Sequence, residues 1–126
     1  EHALQALADV TTRSSGVRCV FECPDHIMEI SEATACNLYR IAQEGVNNAL
    51  KHADAGEIRI GLESRDGLIV LEIDDDGCGL PEAPLKGGGI GFRIMQHRTE
   101  MMGGSMEHGA PPAGGTRIAV HIPNTP

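Results

Sequence analysis

Two apolar runs flank the dipeptide Asp66-Gly67, and they constrain the fold more than any other feature of the chain. Before it, Ile58, Ile60 and Leu62 alternate with Arg59, Gly61 and Glu63, the period of a strand with one face buried. After it, residues 68–74 read LIVLEID, with Ile69, Leu71 and Ile73 in one parity. Asp-Gly between such runs signals a two-residue hairpin, because both turn positions need φ above zero. The chain is therefore expected to hold an antiparallel sheet with one face to cover.

Residues 32–53 supply the main cover. Leu38, Ile41, Ala42, Gly45, Ala49 and Ala53 fall on one stripe at helical spacing, Ser31 stands where a helix N-cap belongs, and Gly56 closes the segment. Residues 1–13 place Leu4, Leu7 and Ala8 on one helical face, and residues 92–102 form a third helix stopped by Gly103-Gly104. VRCVFEC at 17–23 and TRIAVHIP at 116–123 alternate as further strands, while 77–91 and the proline- and glycine-rich 105–115 read as loop and turn. The fold class expected is an α/β (α+β) sandwich. A mixed, mostly antiparallel sheet is covered on one face by about three helices, in one domain over 1–126. A chain of 126 residues suits one such core.

The formal charge of −8 excludes nucleic acid as a partner, since phosphate-backbone binding needs a basic face. It leaves room for a nucleotide, which needs only a local site. No apolar run has the length of a membrane span, so no membrane contact is expected of these residues. There is no signal-peptide pattern and the first residue is Glu1, from which a piece of a longer chain is expected. Cys19, Cys23, Cys36 and Cys78 have irregular spacing without a CxxC. A zinc site from Cys19, Cys23 and His26 would lack its second ligand pair, so reduced structural thiols are the better reading.

Three places carry possible chemistry. On helix 32–53, Glu44, Asn48 and Lys51 follow at i+4 and i+3, which lines a carboxylate, an amide and an ammonium along one edge of the apolar stripe. Taken alone, that is an ordinary polar boundary. On strand 68–75, Asp75 shares the parity of Ile69, Leu71 and Ile73 and so faces the covered side, whereas Asp74 and Asp76 face away as solvated charges. An inward carboxylate needs donors, and Gly77 and Gly79 allow another group to approach closely. Thr116 has the inward parity of Ile118, Val120 and Ile122, so Asp75 and Thr116 together suit a flat hydrogen-bonding ligand. The third place is GGGIG at 87–91, which leads into a helix and exposes backbone N–H groups toward an anion. It is neither a P-loop nor a dinucleotide-binding turn, for want of Gly-Lys-Ser/Thr and of a preceding strand.

These segments, EGVNNALKHA at 44–53, DDGCG at 75–79 and GGIGFRIMQHR at 88–98, resemble in order and spacing the N, G1 and G2 boxes of the GHKL ATPases. They are most similar to the ATP-binding catalytic domain of bacterial sensor histidine kinases. The His-Ala after Lys51, the short stretch between the glycine boxes and the Met-x-x-Arg of the last helix resemble the branch paired with LuxR/NarL-type response regulators.

The resemblance implies roles. Asn48 would coordinate the Mg²⁺ that bridges the phosphates of ATP. Glu44 would be the catalytic carboxylate that positions or activates the attacking group. Lys51 and His52 would contact phosphate, and Asp75 would accept a hydrogen bond from the adenine amino group. Gly77 and Gly79 would let the backbone pass the base, Gly89 and Gly91 would belong to a lid over the phosphates, and Thr116 would join Asp75 at the adenine. His97 and Phe92 depart from the branch's usual Glu and Leu, which implies a difference in lid packing.

The reaction implied is transfer of the γ-phosphate to a histidine of the kinase's own dimerisation and phosphoacceptor domain. No histidine here is followed by Asp-Leu or Glu-Leu, so that acceptor is expected outside these residues, with 1–13 as the end of the helix leading from it. The alternatives are an anti-sigma-factor Ser/Thr kinase, which shares the boxes, a hydrolysing GHKL ATPase, which carries longer lids and further domains, and a small interaction module without a nucleotide.

Overall fold

A computed structural model describes residues 2–24, 30–53, 56–76, 90–109 and 115–123. Among them, helix α1 (His2–Ser15) leads to strand β1 (Arg18–Glu22), and helix α2 (Glu32–Asn48) passes into a π-turn (Ala49–Ala53). The hairpin β2 (Glu57–Arg65) and β3 (Leu68–Asp75), helix α3 (Ile90–Met101), β4 (Ser105–Gly109) and β5 (Thr116–Pro123) complete the order. The five strands form one sheet in the order β1-β2-β3-β5-β4, with β1 parallel to β2 and every other pair antiparallel.

The hairpin forms for the reason its sequence suggests. Asp66 and Gly67 have φ of +53° and +77°, so the turn twists with its strands, and Arg65 pairs with Leu68 beside it. Register then follows the alternation: Ile60 opposes Ile73 and Leu62 opposes Leu71, while on the other side Leu71 opposes Val120. A slip of one residue would turn all of these to the opposite face.

The inner face meets α2 through Leu38, Ile41, Ala42, Gly45 and Val46. Ser31 caps α2 as its position suggests: its Oγ accepts from Thr34 N–H at 3.1 Å. A Cβ on Gly45 would stand 3.1 Å from Ile73 Cδ1, so the missing side chain lets the helix approach β3 just before Asp74. Met95 of α3 is fully buried in the same core, and Arg98, one turn on, donates to Asn37 Oδ1 of α2 at 3.0 Å. This gives the Met-x-x-Arg pattern a physical basis: one residue enters the core and the other ties the two helices. Gly103 ends α3 with φ +74°; its N–H bonds Glu100 O and that of Gly104 bonds Thr99 O, the paired closure of a Schellman motif. Phe92 packs edge-to-face on His108 of β4, with ring centroids 5.4 Å apart.

Helix α1 buries Leu4, Ala8 and Thr11 and shields the sheet edge. The Thr12 hydroxyl accepts from Cys19 N–H at 2.9 Å and lies 3.1 Å from Cys19 O, which gives β1 a polar partner on its outer side. No helix among the described residues is long and apolar enough to cross a membrane. Burial pushes the Cys19 thiol up to about 11, whereas Cys36 is exposed on α2. The thiolate is the reactive form, so iodoacetamide at neutral pH is expected to modify Cys36 in the native chain and Cys19 only after unfolding. Peptide mass spectrometry checks the order; equal labelling of both would contradict the burial.

Two expectations need correction. Residues 105–109, read from sequence as part of a turn, are strand β4. It is an edge strand with only Met106 and His108 directed inward opposite Val120 and Ile118, and it is largely exposed, so it carries little apolar alternation to betray it. The helix expected over 32–53 is α-helical only to Asn48; its last five residues form the π-turn.

Candidate functional site

The three consecutive aspartates at the end of β3 have three different environments. Asp75 is buried, 9 % exposed, in the parity of Ile69, Leu71 and Ile73. It lies between Ile58 of β2 and Thr116 of β5, its partners in the two ladders. Thr116 is likewise buried, 6 % exposed, at the head of the inward row Ile118, Val120 and Ile122. The sheet thus brings together the two residues whose parity singles them out.

Asp74 faces the other side, where Arg117 grips it with two hydrogen bonds, Nε to Oδ1 at 2.8 Å and an Nη to Oδ2 at 2.9 Å. Asp76 is exposed, but its Oδ1 accepts from Gly56 N–H at 2.8 Å and Glu57 N–H at 3.0 Å. Its own N–H donates to Glu57 O at 3.3 Å. Expected as solvated charges, both are in fact fastened, one to β5 and the other to the start of β2. Gly56, expected to close the helix before it, spends its N–H on Asp76.

The N–H of Glu57, and next that of Gly56, hold the Asp76 carboxyl below the ordinary carboxylate range. A carboxyl whose folded pKa lies below its unfolded one stabilises the fold above the unfolded value, and loses that effect as pH falls through the folded one. The wild type is expected to lose more stability than Asp76→Asn between about pH 5 and pH 3. Tm measured against pH checks this; parallel curves would deny the carboxylate its role.

Gly115 precedes Thr116 with φ +87°, and a Cβ there would collide with the carbonyl oxygen of Asp75. The backbone of β5 therefore enters directly against that of β3 at the point where Asp75 and Thr116 meet.

Glu44 and Asn48 lie half-buried on α2, and Lys51 is exposed on the π-turn. Asn48 is the last α-helical residue, so the i→i+5 turn begins just past it and widens the path to Lys51 and the backbone of His52. The regular i+3 step from Asn48 to Lys51 does not hold across that junction. Gly91 is in the first turn of α3, which carries no acidic side chain to offset the positive end of the helix. Gly77, Gly79, Gly89 and His26 lie outside the described residues.

The Asp76 clasp, the Arg117 fork, the glycine requirement at 115 and the π-turn were not evident in the sequence. Only the fork had a usable signal, an arginine in outward parity beside Thr116. Reading it required knowing that β3 pairs with β5.

One end of the helix-covered sheet thus holds a buried Asp–Thr pair. The profile of the family described as histidine kinase-, DNA gyrase B- and HSP90-like ATPase matches residues 35–126, and the chain belongs to that family. The nitrate/nitrite sensor protein NarQ of Escherichia coli (strain K12) is 29 % identical over 119 residues, 94 % of this chain and 21 % of that protein. The chain thus spans about a fifth of the length of the curated relatives it matches. The ATP binding domain of PrrB from Mycobacterium tuberculosis shares the fold, with a TM-score of 0.79 at 20 % identity over 99 % of this chain and 93 % of that one. So does full-length ShkA in complex with AMPPNP, with a TM-score of 0.80 at 19 % identity over 97 % of this chain and 29 % of that one.

Proposed function

We propose that residues 1–126 act as the ATP-binding catalytic domain of a sensor histidine kinase, supplying the γ-phosphate for a histidine on its dimerisation and phosphoacceptor domain. Buried Asp75 beside Thr116 carries this reading. A carboxylate aimed at the covered face accepts from the amino group of adenine and disfavours guanine, which presents an acceptor at that position. The hydroxyl of Thr116 suits the same edge, and the family resemblance assigns Gly77 and Gly79 to the passage of the backbone beside the base.

The donor set also fits magnesium. Mg²⁺ keeps several waters and takes one or two protein oxygens together with substrate phosphates, so Asn48 suffices as its protein ligand. When bound, the ion neutralises charge on the phosphates. Lys51 adds cationic reach, and the first turn of α3, which holds Gly91, offers backbone N–H groups; His52 and Gly89 are the further phosphate contacts that the family resemblance implies. In a chain of formal charge −8, such local groups must offset the repulsion of the nucleotide. Glu44, near Asn48 on the same helix edge, is the group to orient or deprotonate the attacking nitrogen. Phosphoryl transfer depends mainly on positioning and charge stabilisation, so this small set is sufficient.

NarQ is a nitrate/nitrite sensor protein and ShkA binds AMPPNP. These likenesses support a nucleotide-binding domain of a sensor kinase; a cytoplasmic location, a LuxR/NarL-type regulator downstream and α1 as the end of the helix from the acceptor domain belong to the same proposal. Calorimetry with Mg-ADP tests the reading, and no binding at millimolar nucleotide would sink it. Asn48→Ala is expected to remove the dependence of ADP affinity on Mg²⁺; a dependence that survived unchanged would exclude Asn48 as a ligand.

A further inference from the structure

The two aspartates beside Asp75 point to a further role. Three carboxylates in sequence create an ambiguity: a local bulge at the strand end would offer Asp74 or Asp76 to the pocket in place of Asp75. Strands lose register most easily at their ends, where fewer ladder bonds hold them. Asp75 is the last residue of β3, and its pairing with Ile58 is the last rung of that ladder.

Both neighbours are committed elsewhere. One Asp76 oxygen takes the N–H groups of Gly56 and Glu57 at 2.8 and 3.0 Å, and the Asp76 N–H returns to Glu57 O at 3.3 Å. The side chain thus adds a rung beyond the end of the ladder, across 19 and 20 residues of chain. On the other side, the Arg117 fork holds Asp74 against the residue next to Thr116. A solvated acidic turn would show neither arrangement.

We propose that Asp76 is a positioning residue for base recognition. Its clasp on Gly56 and Glu57, assisted by the Asp74–Arg117 fork, selects Asp75 among the three carboxylates and fixes it beside Thr116. The proposal rests on Asp75 as the adenine acceptor. Its consequence is specific: loosening the clasp reduces discrimination between bases, beyond any loss of stability. Asp76 touches no nucleotide and acts through Asp75.

The test is the ratio of ADP to GDP affinity of this chain by calorimetry, with Tm measured alongside. Asp76→Ala removes the acceptor and is expected to lower the ratio about tenfold. Asp76→Asn keeps an oxygen for both N–H groups and is expected to hold the ratio within about threefold of wild type. Ile122→Val, a core truncation at the far end of β5, serves as the stability control and should lower Tm with the ratio unchanged. Arg117→Gln opens the fork on the outer face and remains informative if Asp76→Ala does not fold; it is expected to lower the ratio about threefold. A ratio unchanged in folded Asp76→Ala, or in Arg117→Gln, overturns the proposal, as does a loss in Asp76→Asn equal to that in Asp76→Ala. Failure of the underlying assignment looks different, because Asp75→Asn would then leave ADP affinity intact.

Discussion

Asp75→Asn is expected to weaken ADP binding about a hundredfold, whereas Asp74→Asn changes it by no more than about fivefold. Both substitutions remove one negative charge from adjacent residues, so net charge cannot separate them. Their surroundings do. Asp75 is buried against the core face, and a hydrogen bond from adenine to its carboxylate would form where water competes poorly. Asp74 lies across the strand in the grip of Arg117, and the asparagine retains one oxygen for that guanidinium. The base itself supplies a second distinction. The exocyclic amino group of adenine donates, and O6 of guanine accepts. A carboxylate only accepts, but an amide also donates. Asp75→Asn should therefore lose ADP affinity and gain relative tolerance for GDP, while Asp74→Asn should keep its preference. Equal losses in the two variants would mean that the inward parity of Asp75 has no bearing on the ligand.

That parity was legible in the sequence because Asp75 falls in step with Ile69, Leu71 and Ile73, and Thr116 with Ile118, Val120 and Ile122, even though Val70 and Ala119 between them are buried too. The hairpin, the cap at Ser31 and the stop at Gly103 were legible for the same kind of reason: each is decided within a few residues by backbone geometry. Strand β4 was not, because its ladder to β5 stabilises a segment with little apolar pattern of its own. The π-turn was not either, since a stripe at helical spacing accommodates one widened turn without changing which residues are apolar. The partners of Asp74 and Asp76 come from β5 and from the start of β2, respectively 43 and about 20 residues away. No local rule reports such contacts. Sequence thus indicated which carboxylate turns inward, while only the sheet order shows what keeps it there.

Gly115→Ala is expected to cost about 4 kcal/mol or more in stability, the range in which single substitutions are diagnostic of one severe fault. Two costs combine at this position. The first is conformational: φ is +87°, and a Cβ in that region costs roughly 1–2 kcal/mol on its own. Gly16, with φ +77° and nothing within 4 Å of an added Cβ, isolates this part, so Gly16→Ala should lose only about that amount. The second cost is steric. At Gly115 the new carbon would strike the carbonyl oxygen of Asp75, with its carbon 2.9 Å away and the Asp76 Cα at 3.1 Å. All three are backbone atoms held by ladder bonds to β2 and by the Asp76 clasp, so no rotamer change relieves the contact. Gly45→Ala, whose closest neighbour is the flexible end of Ile73 at 3.1 Å, marks the milder case. Relief at Gly115 requires β5 to move away from β3 at the rung where Thr116 meets Asp75. Residual folded Gly115→Ala should therefore also bind ADP poorly, whereas Gly16→Ala should bind it normally. Urea unfolding of the two variants, paired with ADP titration, checks both statements. A Gly115→Ala midpoint near that of Gly16→Ala would mean that β5 does not enter so close to Asp75.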